Sequence, residues 1–212
     1  MASLYIGLAS LIEQLRSGLR YYESINPYNF NDGDPGEDVT LFRNIHQNAI
    51  SSGQIQNLNV INSRGTSFCT LPGKLSRQDC SQLTLVMQGF LFARDTGDYT
   101  LSIGRNGEPS SGITVDNSFG VWSDISAYQY TNYHSDFRAR RQGLDESFQQ
   151  INGRTTYQMV SGEVKPITAI FLNGGGAASY QFYLYPPGGQ EVTDTSSYFI
   201  PACDQGNPFL SG

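Results

Sequence analysis

Ionised side chains are scarce in this sequence. Only 15% of its 212 residues are Asp, Glu, Lys or Arg, against about a quarter in an average soluble domain. Most of the polarity comes from Ser, Thr, Asn, Gln and Gly, and the net charge is −6. A nucleic-acid partner requires a basic surface, and the densest basic cluster here is confined to residues 138–141. We therefore expect no nucleic-acid partner, and the composition is typical of an extracellular β-protein.

The sequence also lacks the usual signatures of enzymes. It contains no G-x-S-x-G, H-E-x-x-H, P-loop or G-x-G-x-x-G motif. With two histidines, His46 and His134, and no C-x-x-C, a zinc site is not expected. The nearest carboxylate pair, Asp145 and Glu146, is adjacent in sequence, so on a strand its two side chains face opposite ways. These absences predict a protein that is not an enzyme.

Long apolar runs are missing as well. None approaches the roughly 20 residues of a membrane-spanning helix. Residues 1–19 are apolar but contain Glu13 and Arg16, unlike a signal peptide, which carries its positive charge first. The C-terminus has neither a Ser/Thr-rich stalk nor an anchor signal. We expect a mature extracellular domain whose parent is held at the cell surface or cell wall through a C-terminal region absent here.

Cysteine is limited to three residues, Cys69, Cys80 and Cys203. The first two bracket a short loop containing Pro72 and Gly73, which favours a local disulfide. Cys203 then has no partner in the sequence. It either stays free or pairs with a cysteine from a trimmed N-terminal segment.

Short apolar segments separated by Gly and Pro dominate the rest of the chain. Residues 83–93 and 99–103 alternate around the turn at 95–98 and predict a β-hairpin. Further strands are predicted at 113–115, 119–122, 164–171 and 179–185. Residues 4–16 carry apolar side chains at helical spacing and predict one short N-terminal helix. The fold class is thus all-β, a sandwich or barrel, in a single domain over 1–212 with a helical extension at 1–18.

Two polar segments, at residues 115–118 and 172–176, each begin at the end of a predicted apolar strand, so both are candidates for loops at one rim of the sheet. They supply the carboxylate of Asp116, the carboxamides of Asn117 and Asn173, and a run of three glycines. Calcium takes six to eight such oxygen ligands, and glycine lets backbone carbonyls approach an ion closely. Asn-Gly and Gly-Gly are also ordinary hairpin turns, so spacing alone leaves a turn without a metal as the alternative.

A family resemblance strengthens the first interpretation. Residues 89–103 (GFLFARDTGDYTLSI), 115–122 (VDNSFGVW) and 166–182 (PITAIFLNGGGAASYQF) together resemble the GLEYA branch of the anthrax-protective-antigen-like domains. These domains occur in yeast flocculins and epithelial adhesins. The resemblance is strongest from 83 to 190, and it implies a β-sandwich lectin whose calcium ion binds the sugar directly.

The resemblance also implies the ligands of the calcium ion. Asp116 matches the first of two consecutive aspartates in the family, and Asn117 stands where the second is expected. Asn173 matches the asparagine ligand, and backbone carbonyls of Gly175 and Ala177 complete the protein set. Because Asn117 removes one negative charge, we expect calcium to bind more weakly than in an all-aspartate site.

The expected sugar contacts surround this ion. Asp116, Asn173 and the loop residues Gly174, Gly175 and Gly176 would approach the sugar. The residues that could stack on a sugar face are Trp122, Tyr128, Tyr130 and Tyr133. Packing in the core is the alternative for each tyrosine and the favoured assignment for Trp122. The bare glycine loop favours terminal N-acetylglucosamine, as at chitin ends, over galactose or mannose.

Three functions remain open at this stage. The first is a monomeric, calcium-dependent adhesin domain that binds terminal sugars. The second is a carbohydrate-binding module of a larger glycosidase or toxin-like protein. The third is a structural or protein-binding sandwich with an inactive site, which the Asn117 substitution keeps open.

Overall fold

The computed structural model describes most of the chain. The described residues are 17–26, 44–56, 58, 61–62, 67–71, 78–104, 117–129, 135–142, 147–151, 153–192, 194–202 and 209, with the backbone alone at 61–62, 137–142 and 147–151. The predicted N-terminal helix at 4–16, the predicted strand at 113–115 and Cys203 lie outside them.

Strands account for most of the described chain. They are β1 (Leu19–Ile25), β2 (Ser51–Ile55), β3 (Ile61–Asn62), β4 (Phe68–Thr70), β5 (Gln78–Asp79), β6 (Leu83–Phe92), β7 (Gly97–Ile103), β8 (Asn117–Ser123), β9 (Phe137–Gln142), β10 (Ser147–Ile151), β11 (Arg154–Met159), β12 (Val164–Asn173), β13 (Phe182–Tyr185) and β14 (Phe199–Pro201). The helices are α1 (Ile45–Asn48) and α2 (Asp124–Gln129), with a 3-10 turn at Ser196–Tyr198.

The strands form one large and two small antiparallel sheets. The large sheet has the order β10-β9-β8-β12-β6-β1-β2, with β14 paired to β6. The order β11-β7-β13 makes the second sheet, and β3-β4-β5 makes a short ribbon. Strands β6 and β12 are central and covered on both faces, which explains their near-continuous apolar sequences. The all-β prediction is confirmed.

The hairpin predicted at 83–103 is wrong in its pairing. Strand β6 pairs with β1, β12 and β14, whereas β7 pairs with β11 and β13 in the second sheet. The turn at residues 93–96 therefore carries the chain from one sheet to the other. A turn signal between two alternating segments fixes the reversal of the chain but not the partner of each strand, which depends on residues far away in sequence.

The main core lies between the large sheet and the second sheet. Leu85 and Met87 of β6 face this core, as do Ala169 and Phe171 of β12. Tyr99 lies in it as well, fully buried on β7. Alternation then directs Thr84, Val86, Thr168 and Ile170 to the opposite face of the large sheet.

The opposite face carries a smaller apolar cluster that α1 covers. Its buried members are Tyr22, Ile45, Val86, Trp122, Ile170 and Leu172. The Trp122 side chain is only 1% exposed, so its assignment to the core is confirmed. Its ring lies over Gly120, where an added Cβ would stand 2.6 Å from the indole. Glycine at 120 is therefore required by the position of Trp122.

We expect Gly120→Ala to destabilise the fold by about 1–3 kcal/mol, because overpacking forces a buried ring off its position. For a chain of this size the midpoint of thermal unfolding should fall by roughly 2–4 °C per kcal/mol. Thermal unfolding followed by circular dichroism measures this. The double variant Gly120→Ala with Trp122→Leu should lose less than the sum of the single losses, since the clash is relieved. Additive losses would contradict the packing account.

Among the described residues, no helix is both long enough and apolar enough to cross a membrane.

Candidate functional site

Two buried asparagines meet at one rim of the large sheet. Asn117 begins β8 and Asn173 ends β12, and the antiparallel register places them directly opposite each other. Both side chains are 0% exposed. They follow the alternation of Phe119 and Phe171, which places them on the face that carries the main core. The sequence prediction that the segments at 115–118 and 172–176 share a rim thus agrees with the structure.

Asn173 is the centre of a buried hydrogen-bond network. Its Nδ2 donates to the carbonyl oxygen of Cys80 at 2.5 Å and to that of Gly176 at 3.3 Å. Its Oδ1 accepts from the backbone N–H of Gly175 at 3.1 Å. An asparagine that bonds the backbone two residues on forms an Asx turn. The carboxamide therefore shapes the loop that follows it and fixes which way its own oxygen points.

The loop after Asn173 needs glycine for its backbone and leaves space beside it. Gly176 has φ +66°, in the left-handed region that disfavours most side chains. Among the described residues, no atom lies within 4 Å of a Cβ added at Gly175 or Gly176. This side of the loop is consequently open.

Asn117 reaches across to the same loop. Its Nδ2 donates to the carbonyl oxygen of Ala177 at 2.8 Å. The resemblance assigns this carbonyl, together with Asn117, to the calcium ion. The two proposed ligands are therefore in direct contact with each other.

Two further groups support the rim, and sequence reasoning assigned neither of them to it. Asn26 follows β1, is 1% exposed, and donates its Nδ2–H to the backbone oxygen of Asn173 at 2.9 Å. Cys80, the acceptor for Asn173, is joined to Cys69 by a disulfide, as predicted. The signal that could have found Asn26 is the one used for the other two asparagines, an Asn at the end of an apolar strand.

The structure does not bring Tyr128 to this rim. Tyr128 lies on α2, which follows the opposite end of β8, and its ring packs on Phe209 at 4.9 Å between centroids. The backbone oxygen of Ala127 accepts a hydrogen bond from Thr168, five residues before Asn173. Five strand residues span roughly 16 Å. The prediction that Tyr128 stacks on a sugar beside the loops does not agree with this position.

The other predicted site residues fall into two groups, those in the loop after Asn173 and those outside the described residues. Gly174, Gly175, Gly176 and Ala177 lie in the loop beside Asn173. Asp116, Tyr130 and Tyr133 are outside the described residues.

An uncharged aromatic group lies under the rim. Tyr180 is fully buried and lies between Phe119 and Phe171, with ring centroids 4.7 Å from each. Burial raises the pKa of the Tyr180 phenol far above its usual range. The phenol stays neutral and cannot serve as an anionic ligand, so this part of the site is apolar support.

The chemistry of the donor set fits a hard cation. The described groups at the rim offer carboxamide and carbonyl oxygens, the ligands that calcium takes. Within the described residues no group of three or more His, Cys, Asp or Glu side chains could hold a metal. These carboxamide and carbonyl groups are uncharged, and Asp116, outside the described residues, is the carboxylate that the resemblance assigns to the ion.

A family model supports the resemblance found in the motifs. Residues 83–186 match the GLEYA domain. The matched segment runs from the start of β6 to just beyond β13 and includes Asn117, Asn173 and the glycine loop. No curated protein matches the chain.

Solved structures share the fold at low sequence identity. The epithelial adhesin 6 A domain of Candida glabrata, in complex with Galβ1-3GlcNAc, aligns with a TM-score of 0.60 and 16% identity over 90% of this chain and 89% of that one. The epithelial adhesin 9 A domain, with Galβ1-4GlcNAc, gives 0.59 and 16% over 90% and 92%. A PA14 sugar-binding domain from an RTX adhesin gives 0.51 and 14% over 87% and 98%. Residues 83–186 therefore match the GLEYA family model, and the chain shares the β-sandwich fold of these adhesin domains.

Proposed function

We propose that this chain is a non-catalytic adhesin domain that binds terminal sugars through a calcium ion. The observation that carries the proposal is the contact between Asn117 and the loop after Asn173 at one rim of the sheet. This contact brings together oxygen atoms that could coordinate a cation from two chain segments. Both segments lie within the residues that match the GLEYA domain. The adhesin structures with the same fold, solved with disaccharides, support sugar as the ligand class.

The residues proposed to hold calcium are Asp116, Asn117 and Asn173 through their side chains, and Gly175 and Ala177 through their carbonyls. A bound calcium ion supplies open coordination positions that two neighbouring sugar hydroxyls can fill. The side-chain amide of Asn173 donates to the carbonyl oxygens of Cys80 and Gly176, and these two hydrogen bonds orient its side-chain oxygen. Its burial excludes water from that side of the site.

The sugar we propose is terminal N-acetylglucosamine, as at chitin ends. The support is the open side of the loop, where no atom of the part of the chain that the structure describes lies within 4 Å of a Cβ added at Gly175 or Gly176. An acetamido group needs such space next to the hydroxyls that bind the ion. Gly174, Gly175 and Gly176 would form this edge, with Tyr130 and Tyr133 as candidates for stacking.

Galactose is the second candidate, and a different observation favours it. The two epithelial adhesin domains were solved with disaccharides in which galactose precedes N-acetylglucosamine. A galactose at the end of the glycan would then be the sugar that contacts the ion. Mannose has no comparable support in the structure.

We further propose a monomeric domain at the surface or wall of a fungal cell. The support is the fold shared with epithelial adhesins of a fungus. A carbohydrate-binding module in a larger glycosidase would use the same rim. The sequence of the parent chain distinguishes these two settings. An adhesin would have a stalk next to this domain, whereas a glycosidase would have a catalytic domain.

A glycan array probed with and without calcium tests the proposal. With millimolar calcium we expect binding to terminal N-acetylglucosamine, and with a chelator we expect that binding to be lost. Asp116→Ala should abolish it, because the site would lose its carboxylate. The matched control is Asp98→Ala, which removes an exposed carboxylate on the second sheet and should leave binding intact.

The outcomes separate the parts of the proposal. Chelator-sensitive binding to terminal galactose alone would retain the calcium mechanism and replace the preferred sugar. Binding that survives chelation would retain a sugar-binding domain and discard calcium. Absence of glycan binding both in calcium and in chelator would overturn the lectin function in favour of a structural or protein-binding domain.

A further inference from the structure

Asn117 occupies an unusual position for a calcium ligand. Its side chain is 0% exposed and its amide nitrogen, not its oxygen, points at the carbonyl of Ala177. At 2.8 Å this is a hydrogen bond of ordinary length between an N–H donor and a carbonyl acceptor. The carbonyl oxygen of Ala177 is thus satisfied by the protein itself.

An aspartate at this position could not make the same contact. A carboxylate is an acceptor only, so it would place two oxygens against each other unless a cation stood between them. The carboxamide has nearly the same shape but carries two N–H donors. It therefore supplies from within the protein the positive end that a cation would otherwise provide.

We propose that Asn117 holds the loop Asn173–Ala177 in its binding conformation without calcium, by donating to Ala177 where a cation would otherwise neutralise that carbonyl. The inference rests on the proposed function for the identity of the cation. Its consequence is a rim that is preformed when no ion is bound. Calcium then contributes to the sugar contact while adding little to the stability of the loop.

Rotation about one bond converts Asn117 from the hydrogen-bond donor of Ala177 into a calcium ligand. Turning the carboxamide about its Cβ–Cγ bond exchanges nitrogen for oxygen, and this torsion is broad and roughly two-fold. Binding of an ion must break the Asn117–Ala177 hydrogen bond to gain that oxygen. This competition lowers the affinity for calcium, in addition to the loss of one negative charge.

The rim offers a close control for this inference. Asn26 and Asn117 are both buried, and each donates its Nδ2–H to a backbone carbonyl of the β12 end, at 2.9 Å and 2.8 Å. Asn26 donates to the backbone oxygen of Asn173, and this oxygen is not a proposed ligand, since Asn173 is proposed to bind calcium through its side-chain oxygen. Replacement of either asparagine by aspartate removes the donors and buries a carboxylate against a carbonyl. Only the change at 117 should be reversed by calcium.

The experiment compares thermal unfolding of the wild type, Asn117→Asp and Asn26→Asp in chelator and in millimolar calcium. The wild type should unfold at nearly the same temperature in both. Asn117→Asp should fall by about 5–10 °C in chelator and recover most of that loss in calcium. Asn26→Asp should fall in both conditions. Calorimetric titration should show calcium bound about tenfold more tightly by Asn117→Asp than by the wild type.

Hydrogen exchange of the wild type alone provides a second measurement that needs no variant to fold. The Gly175 amide donates to Asn173, so a peptide covering 172–180 reports on the loop. We expect equal protection of this peptide in chelator and in calcium. Loss of protection in chelator would overturn the inference, as would an Asn117→Asp protein that unfolds in chelator at the wild-type temperature.

Failure of the proposed function gives a different pattern. A wild type that binds no calcium, combined with calcium rescue of Asn117→Asp, would overturn the calcium mechanism and support this inference. A wild type that binds calcium, combined with an Asn117→Asp protein that calcium does not rescue, would overturn the inference and leave the proposed function standing.

Discussion

Asn173→Ala is expected to abolish sugar binding and to destabilise the fold by about 2–4 kcal/mol. The substitution removes the donor to the Cys80 and Gly176 carbonyls and the acceptor for the Gly175 amide. Each buried polar group left without a partner costs about 1–3 kcal/mol, and the groups nearest the loop surface can regain part of this from water. The free energy of unfolding in urea measures the stability change, and calorimetry with the sugar identified on the array measures binding.

Two variants isolate what Asn173 does. Asn48→Ala makes the same chemical change at an exposed position on α1 and should leave stability and binding near the wild type. Asn173→Asp keeps an oxygen ligand but loses both N–H donors. We expect it to be destabilised and to bind sugar more weakly than the wild type. Wild-type stability in Asn173→Asp would show that the network around the amide hydrogens is unimportant.

Removal of the Cys69–Cys80 disulfide is expected to destabilise the protein by about 3 kcal/mol. The bond closes a loop with a sequence separation of 11, and the chain-entropy model gives about 3 kcal/mol for loops of this size. Both residues are buried in the main core, so the double variant Cys69→Ala, Cys80→Ala avoids burying new hydroxyls. The midpoint of thermal unfolding should fall by roughly 6–12 °C.

This disulfide should also affect the binding rim. The carbonyl of Cys80 accepts a hydrogen bond from Asn173. A more mobile ribbon of β3, β4 and β5 would therefore also make Asn173 and the glycine loop after it more mobile. We expect the double variant to bind sugar more weakly at a temperature where it remains folded. Cys203→Ser leaves the Cys69–Cys80 bond intact and should change binding little. Unchanged binding by the double variant would show that the ribbon does not position Asn173.

The position of the rim could be predicted from sequence because it follows from strand ends. Asn117 and Asn173 border apolar segments whose alternation is strong, and the family motifs cover both. The disulfide could be predicted because its two cysteines are close in sequence. These features depend on residues that are near one another along the chain or on a recognised motif.

The remaining features depend on contacts that no local pattern encodes. Tyr128 follows the end of β8 opposite Asn117, and its ring packs there on Phe209, which lies 81 residues later. Asn26 supports Asn173 across 147 residues. The pairing of β6 and β7 with different sheets likewise depends on β11, β12 and β13. Sequence patterns identified these residues as polar, aromatic or extended but could not assign their partners.

The position of the described chain ends has a mechanical consequence. The backbone N–H of Gly18 donates to the oxygen of Phe199, and Phe209 packs on Phe90. Phe90 lies seven residues along β6 from Leu83, which is at the rim end, or roughly 23 Å away. If a sugar binds at the rim, as proposed, a load applied at Gly18 or Phe209 acts from the opposite end of the large sheet. Such a load runs along the strands, across ladder hydrogen bonds that lie perpendicular to it, so neighbouring bonds share the force rather than opening one at a time.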